Sequence, residues 1–254
     1  MKATAVLLAG SRPGGDPLAA HFGAANKALI PLGGQPMILR PLAALLASAD
    51  VGEIILLAHE PDALRAVLPP DRRVRVERSG ATIAGSIAAL CADPATRWPL
   101  LITTADHALL DAATIDEFLR SAGGSDVAVG VVEEAALMAR LPGTRRTWLR
   151  FRGGAVTGAN LFALKSATVA PAIALWRLVE QDRKKGWRVI LLAGPATLAG
   201  AALRLLSLDQ VMARVGKRIG LAITAVRLSN PLAGVDVDTV DDHRLVSAIL
   251  AGKR

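Results

Sequence analysis

Three stretches of this 254-residue chain carry side chains whose types and spacing can do chemistry. The first, AVLLAGSRPGGDPLAAHFGAANKALIPLGGQPMI, runs from Ala5 to Ile38. Its apolar start ends at Ala9-Gly10, and a Gly/Pro-rich loop with Arg12 follows. The loop closes on Asn26-Lys27, and a second glycine turn then opens a helix at about Pro36. A strand that empties into a glycine loop carrying cations can hold polyphosphate. Backbone N–H groups approach phosphate oxygens where no Cβ intervenes, and lysine adds a mobile point charge. That is nucleotide chemistry.

The second stretch is LLITTADHALL, Leu100–Leu110. Asp106 directly follows a buried strand, which puts its carboxylate at the carboxyl end of the sheet, the edge where open α/β sheets bind ligands. A carboxylate there either holds a divalent cation or caps a turn. His107 beside it either touches phosphate or stands in solvent. The third stretch is GVDVDTVDDH, Gly234–His243, just before the last helix. Thr239 or Asp238 can cap that helix, and the other acids suit its positive N-terminal end. Capping accounts for one or two of these four aspartates. Asp236 and Asp238 together point to a cation, and the sequence leaves open which of them takes it. His21, His59 and His243 show no metal-ligand spacing.

These groups need a frame. Flat apolar runs at Ala3–Leu8, Glu53–Ala58, Arg73–Glu77, Leu100–Thr104 and Asp126–Val132 predict strands buried on both faces. Helix-length segments lie between them at Pro36–Ala49, Asp62–Leu68, Ala81–Cys91 and Ala112–Ser121, with Asp111 placed to cap the last. Strand and helix in alternation imply an α/β fold, a mostly parallel sheet covered by helices. From Arg140 the rhythm changes. Thr147–Phe151 and Ala155–Leu164 read as paired strands around Arg152-Gly153-Gly154. Helical tracts at Pro171–Lys185 and Ala196–Lys217, a strand at Leu221–Leu228 and a helix at Val240–Leu250 follow.

Composition sets the outer bounds. Apolar residues make up 52% of the chain, aromatic residues only 3%, and there is no tyrosine. No apolar run approaches the roughly 20 residues that span a bilayer. The apolar start is too short for a secretory signal, and the single Cys91 excludes an internal disulfide or a cysteine metal cluster, so the expected location is cytoplasmic. The net charge of +8 is uneven: residues 1–139 hold 11 Lys/Arg against 15 Asp/Glu, and residues 140–254 hold 19 against 7. Basic clusters at Arg145-Arg146, Arg150, Arg152, Arg183-Lys184-Lys185, Arg188, Arg214 and Lys217-Arg218 suit a solvated face, an anionic substrate or an anionic membrane surface. No reading motif or aromatic interleaving points to nucleic acid. Leucines at helical spacing in Ala196–Lys217, with basic residues toward its end, suit core packing, a homodimer contact or docking against a membrane that bears a lipid-linked acceptor.

LLAGSRPGG…NKALIPLGGQPMI, TTADHALL and GVDVDTVDDH, in that order, resemble the nucleotidyltransferases related to molybdopterin guanylyltransferase, the MobA-like NTP transferase superfamily. GANLFAL, Gly158–Leu164, resembles the strand that meets the acceptor in such enzymes. The resemblance implies a three-layer α/β/α, Rossmann-like fold of the GT-A type with a mixed, mostly parallel sheet. It implies one domain over 1–254, with 1–139 binding nucleotide and 140–254 meeting the acceptor. Leu8, Ala9, Gly10 and Ser11 would then line the nucleotide through backbone groups, with Gly80 and Ser86 near the base. Arg12 and Lys27 would hold the triphosphate, Asp106 and Asp238 would carry Mg²⁺, and Asn160 would approach a phosphorylated small-molecule acceptor. Apart from the resemblance, Lys165, Lys184 and Lys185 either meet the acceptor phosphate or stand as surface lysines. The implied reaction is NMP transfer from CTP, GTP or UTP with release of pyrophosphate. The chain departs from the common loop where Ser11 replaces a glycine, Arg12 comes early and the stretch to Lys27 is long.

Two other readings use the same residues. A nucleotide-sugar-dependent glycosyltransferase would want Asp-x-Asp after the fourth strand, where Ala105-Asp106-His107 offers one acid. A non-catalytic nucleotide- or membrane-binding protein would have no need of Lys27, Asp106 and Asp238 together. A dinucleotide oxidoreductase would want G-x-G-x-x-G opening a helix, and none does.

Overall fold

The computed structural model describes residues 2–10, 15–181 and 194–253. Ser11, Arg12, Arg183, Lys184, Lys185 and Arg188 lie outside the described residues. In chain order the first elements are β1 (Ala3–Leu8), α1 (Pro17–His21), β2 (Pro31–Leu32), β3 (Gln35–Pro36), α2 (Leu39–Ala47), β4 (Val51–Ala58) and α3 (Pro61–Arg65). Next come β5 (Val74–Arg78), α4 (Ile83–Ala92), β6 (Leu100–Thr104), α5 (Ala112–Ser121), β7 (Val127–Glu133) and α6 (Glu134–Arg140). The rest are β8 (Leu149–Phe151), β9 (Gly154–Leu164), α7 (Ala170–Gln181), α8 (Pro195–Ala202), α9 (Leu208–Ile219), β10 (Ile223–Arg227) and α10 (Val240–Leu250).

The main sheet runs β10-β7-β9-β6-β1-β4-β5, with β8 hanging on β9. Neighbours are parallel except at β9, which is antiparallel to β6, β7 and β8. Residues before and after Arg140 therefore share one mixed, mostly parallel sheet. All six residues of β1 are buried. Side chains alternate along a strand, so Ala5 and Leu7 pack with Leu42 of α2, Phe118 of α5 and Val246 of α10 on one face. Val6 and Leu8 pack with Ile87 of α4 and Ile173 of α7 on the other. The result is a three-layer α/β/α arrangement. Burying each large apolar side chain contributes about 1.5–3 kcal/mol.

The parallel strands β1, β4 and β6 end together, with Leu8 level with Leu57 and Thr104. Their carboxyl edge is where the chemistry-bearing residues gather. Four local features differ from the sequence expectations. Gly33 and Gly34, at φ +59° and +84°, form the turn of the small β2–β3 hairpin, so α2 starts at Leu39 rather than about Pro36. Asp16 caps α1 within the loop, accepting from Leu18 and Ala19 N–H. β7 runs directly into α6, which the alternating pattern did not show. The tract Ala196–Lys217 is two helices: Arg204 turns the chain at φ +55°, and Ser207 with Gln210 forms a capping box that starts α9.

Candidate active site

Asn26 is the local device that delivers Lys27. Its side-chain oxygen accepts from Ala28 N–H at 2.8 Å, capping the single 3₁₀ turn Lys27–Leu29, and its amide donates to the Ala9 carbonyl at 3.4 Å. The buried Asn26 thus ties the far end of the loop to the end of β1. Ala105 N–H donates to Leu8 O at 2.9 Å, which carries the chain from β6 past the same point. Thr104 Oγ1 then donates to Asp106 Oδ1 at 2.5 Å and orients that carboxylate. Val237 N–H donates to Asp106 O at 3.1 Å, fastening the third sequence stretch to the second.

Three residues that lie 79 and 211 positions apart along the chain meet here. Lys27 Nζ donates to Asp106 Oδ2 and to Asp238 Oδ1, each at 2.5 Å. Burial by itself would lower the Lys27 pKa, but the charge and hydrogen bond of Asp106, and then those of Asp238, raise it above its ordinary value. Lys27 is therefore a firm cation at neutral pH. Two carboxylate oxygens that converge on one point also form a donor set that suits Mg²⁺, which takes one or two protein carboxylates and fills its other positions with water and phosphate. No larger cluster of His, Cys, Asp and Glu fit for a metal occurs among the described residues.

This point forms one wall of a cleft of about 270 Å³. Leu8, Ala9 and Gly10 border the cleft on one side, and Gly80 and Ser86 on another. Ser86 Oγ accepts from Gly80 N–H and donates to Thr82 O, each at 2.9 Å, so it shapes the turn before α4. A Cβ added to Gly10 would meet nothing within 4 Å among the described residues.

A second, wider hollow of about 560 Å³ adjoins the first at Asp238. Asn160 lines it, held at φ +47° where the β7–β9 register slips between Val129 and Val131. A bulge of this kind re-aims a side chain, and Asn160 Nδ2 donates to Asp236 Oδ2 at 3.3 Å. Gly130 lies opposite, where a Cβ would crowd Leu161 Cβ at 3.1 Å. Asp236 faces away from Lys27 toward Arg146, so Asp238 is the late carboxylate that pairs with Asp106. The Asp236 pKa is raised, first by burial and then by Asp238 and Asp106, with Arg146 pulling it back down.

Two expectations need correction. Lys165 follows Leu164, which is level with the first residues of β6 and β7, Leu100 and Val127. Because β9 runs antiparallel, exposed Lys165 lies at the edge of the sheet opposite Asp106, away from both hollows. His107 neither stands in solvent nor faces the cleft. It is 1% exposed, and burial pushes its imidazole down to about 4 against the pull of Asp106, the Ala233 backbone and Asp111.

Sequence reasoning missed Arg146 as a site residue. Its guanidinium donates to Asp236 Oδ1 and Asp242 Oδ1, both at 2.8 Å, with its side chain 8% exposed. Its partners lie 90 and 96 residues further along the chain, so no local pattern could reveal them.

No helix among the described residues is long and apolar enough to cross a membrane. The MobA-like NTP transferase domain profile matches residues 5–191. A hypothetical transferase structure from Thermus thermophilus is 30% identical at TM-score 0.80, covering 96% of this chain and 100% of that one. 2-C-methyl-D-erythritol 4-phosphate cytidylyltransferase from the same organism is 17% identical at TM-score 0.52, covering 99% and 100%. CMP:2-keto-3-deoxy-manno-octonic acid synthetase complexed with CTP is 16% identical at TM-score 0.58, covering 100% of both chains. These two share the fold. No curated protein sequence matches. With its sheet edge, its glycine-bordered cleft and this match over most of its length, the chain belongs to the MobA-like NTP transferase family.

Proposed function

We propose that the chain transfers an NMP group from a nucleoside triphosphate to a small phosphorylated acceptor, releasing pyrophosphate with Mg²⁺ as cofactor. One observation carries this reading: Lys27, Asp106 and Asp238 converge at the mouth of the glycine-bordered cleft, on the carboxyl edge of the sheet. In it, residues 1–139 form the nucleotide side and residues 140–254 the acceptor side. The end of β1 and the turn from Gly80 to Ser86 receive base and ribose, and Gly10, which has no Cβ, lets the phosphates approach the backbone.

An acceptor phosphate oxygen attacks the α-phosphorus, a new P–O bond forms, and the bond to the bridging oxygen breaks to release pyrophosphate. The acceptor phosphate is already ionised near neutral pH, so no general base is needed. Negative charge grows on the equatorial and leaving oxygens. Lys27 meets that charge as a point cation, with Arg12 as its partner in the loop, and this stabilises the transition state more than the ground state. Asp106 and Asp238 would hold Mg²⁺, which neutralises phosphate charge. Asn160 and the wider hollow receive the acceptor.

CTP is the first nucleotide to try, since two solved structures of like fold are named for cytidylyl chemistry. GTP and UTP complete the candidates. The test is pyrophosphate release with Mg²⁺, each of the common NTPs and a panel of sugar, polyol and cofactor phosphates. One NTP and one acceptor class should respond. Silence across the panel, or release that needs no acceptor phosphate, would refute the reading.

A further inference from the structure

Arg146 lies between α6 and β8, yet its side chain is almost wholly buried against the turn that precedes α10. Its fork divides between two carboxylates. One amino group meets Asp236 Oδ1 and the other meets Asp242 Oδ1. Each carboxylate then has a second task. Asp236 Oδ2 accepts from Asn160, and Asp242 Oδ2 accepts from Asp238 N–H at 3.3 Å, Thr239 N–H at 2.9 Å and Thr239 Oγ1 at 2.7 Å. The guanidinium therefore fastens the turn at both ends, and Asp238 sits in the middle with its carboxylate on Lys27. The planar fork gives each carboxylate its own amino group, where a lysine ammonium, a single point, would have to share one nitrogen between them.

We propose that Arg146 is a positioning residue for nucleotidyl transfer: by clamping Asp236 and Asp242 it sets the turn that holds Asp238 opposite Asp106. The inference rests on the function proposed above, and it assigns Arg146 no contact with the reacting atoms. Its effect passes through Asp242 to the backbone of Asp238, and through Asp236 to Asn160 at the acceptor hollow.

The test is an electron paramagnetic resonance titration with Mn²⁺ alone on the wild-type protein, Arg146→Lys and Arg146→Ala, with pyrophosphate release measured alongside. Arg146→Lys keeps the charge and loses the fork, and it decides the matter if Arg146→Ala does not fold. Partners of metal-ligating groups typically affect affinity by about 10–100-fold. Arg146→Lys should therefore weaken Mn²⁺ binding by about tenfold or more and raise the half-saturating Mg²⁺ similarly. The KM for nucleotide should stay within about threefold, because Arg146, Asp236 and Asp242 do not border the nucleotide cleft. A merely structural role would lower the unfolding midpoint and leave the Mn²⁺ affinity of the folded protein unchanged, and that result would overturn the inference alone. Wild-type protein that binds no Mn²⁺ and releases no pyrophosphate would overturn the functional reading and this inference with it.

Discussion

Lys27 joins Asp106 and Asp238 at the mouth of the cleft, while Arg146 joins Asp236 and Asp242 behind it. Both are one cation between two carboxylates, but the settings differ. Lys27 and Asp106 are 13% and 19% exposed, but Asp238 is half exposed and the lysine ammonium sits on a flexible stem, so solvent or phosphate can reach the Lys27–Asp238 contact. Arg146 and Asp242 are 8% and 14% exposed and Asp236 is 30% exposed, and the planar guanidinium gives each carboxylate its own amino group. Removing one member of such a buried pair leaves an uncompensated charge. In the proposed function the Lys27 set hands its charge to the nucleotide, and in the further inference the Arg146 set holds the backbone of the turn.

Four outcomes would break or sharpen that contrast. Lys27→Ala should reduce kcat by about 10³-fold, at the upper end for loss of one charge-stabilising donor, with little change in the thermal midpoint; loss of fold instead would make Lys27 part of the frame and not of the reacting centre. Asp238→Asn should cost about 10²-fold in pyrophosphate release and Asp236→Asn less than about tenfold, since only Asp238 meets Lys27. Equal effects would erase the distinction between the two aspartates.

Beneath Asp106, His107 makes stability depend on pH. It stays neutral in the fold down to about 4 but takes a proton near 6.5 when unfolded, so the unfolded chain binds more protons between those values. Stability is full above that window and falls as pH drops through it, by about 2 kcal/mol from about pH 7.5 to about pH 4.5 in urea titrations. His107→Gln should flatten the slope. The smallest effect belongs to Thr239, whose hydroxyl caps α10. Thr239→Ala should cost about 1 kcal/mol in urea unfolding, with the loss in activity no greater than that of Asp236→Asn.

The frame of the molecule was legible where physics acts locally. β1, β6, α5 and α10 begin and end where the apolar runs and their caps say, because strands buried on both faces and helices opened by Asp111 or Thr239 leave strong local patterns. Lys27 and Asp106 were legible for the same reason, each following directly on a strand or a glycine loop. Sequence neighbourhood failed where direction or distance decides. Lys165 is five residues past Asn160, yet that interval runs down an antiparallel strand to the other edge of the sheet. Arg146 looked like one charge in a basic cluster, and only the fold brings it to Asp236 and Asp242. His107 has polar neighbours in sequence but points into the core. The choice between Asp236 and Asp238 turned on which of two side chains two residues apart faces Lys27, which no periodicity encodes.

The most direct test of the central claim, that Lys27, Asp106 and Asp238 form one phosphate-transfer centre, is pyrophosphate release by Asp106→Asn under the conditions that activate the wild-type protein. This substitution keeps the shape and removes the charge that meets Lys27 and that the proposed Mg²⁺ would need. The account predicts a loss of at least about 10²-fold with the fold intact. An undiminished rate in the folded variant would contradict it.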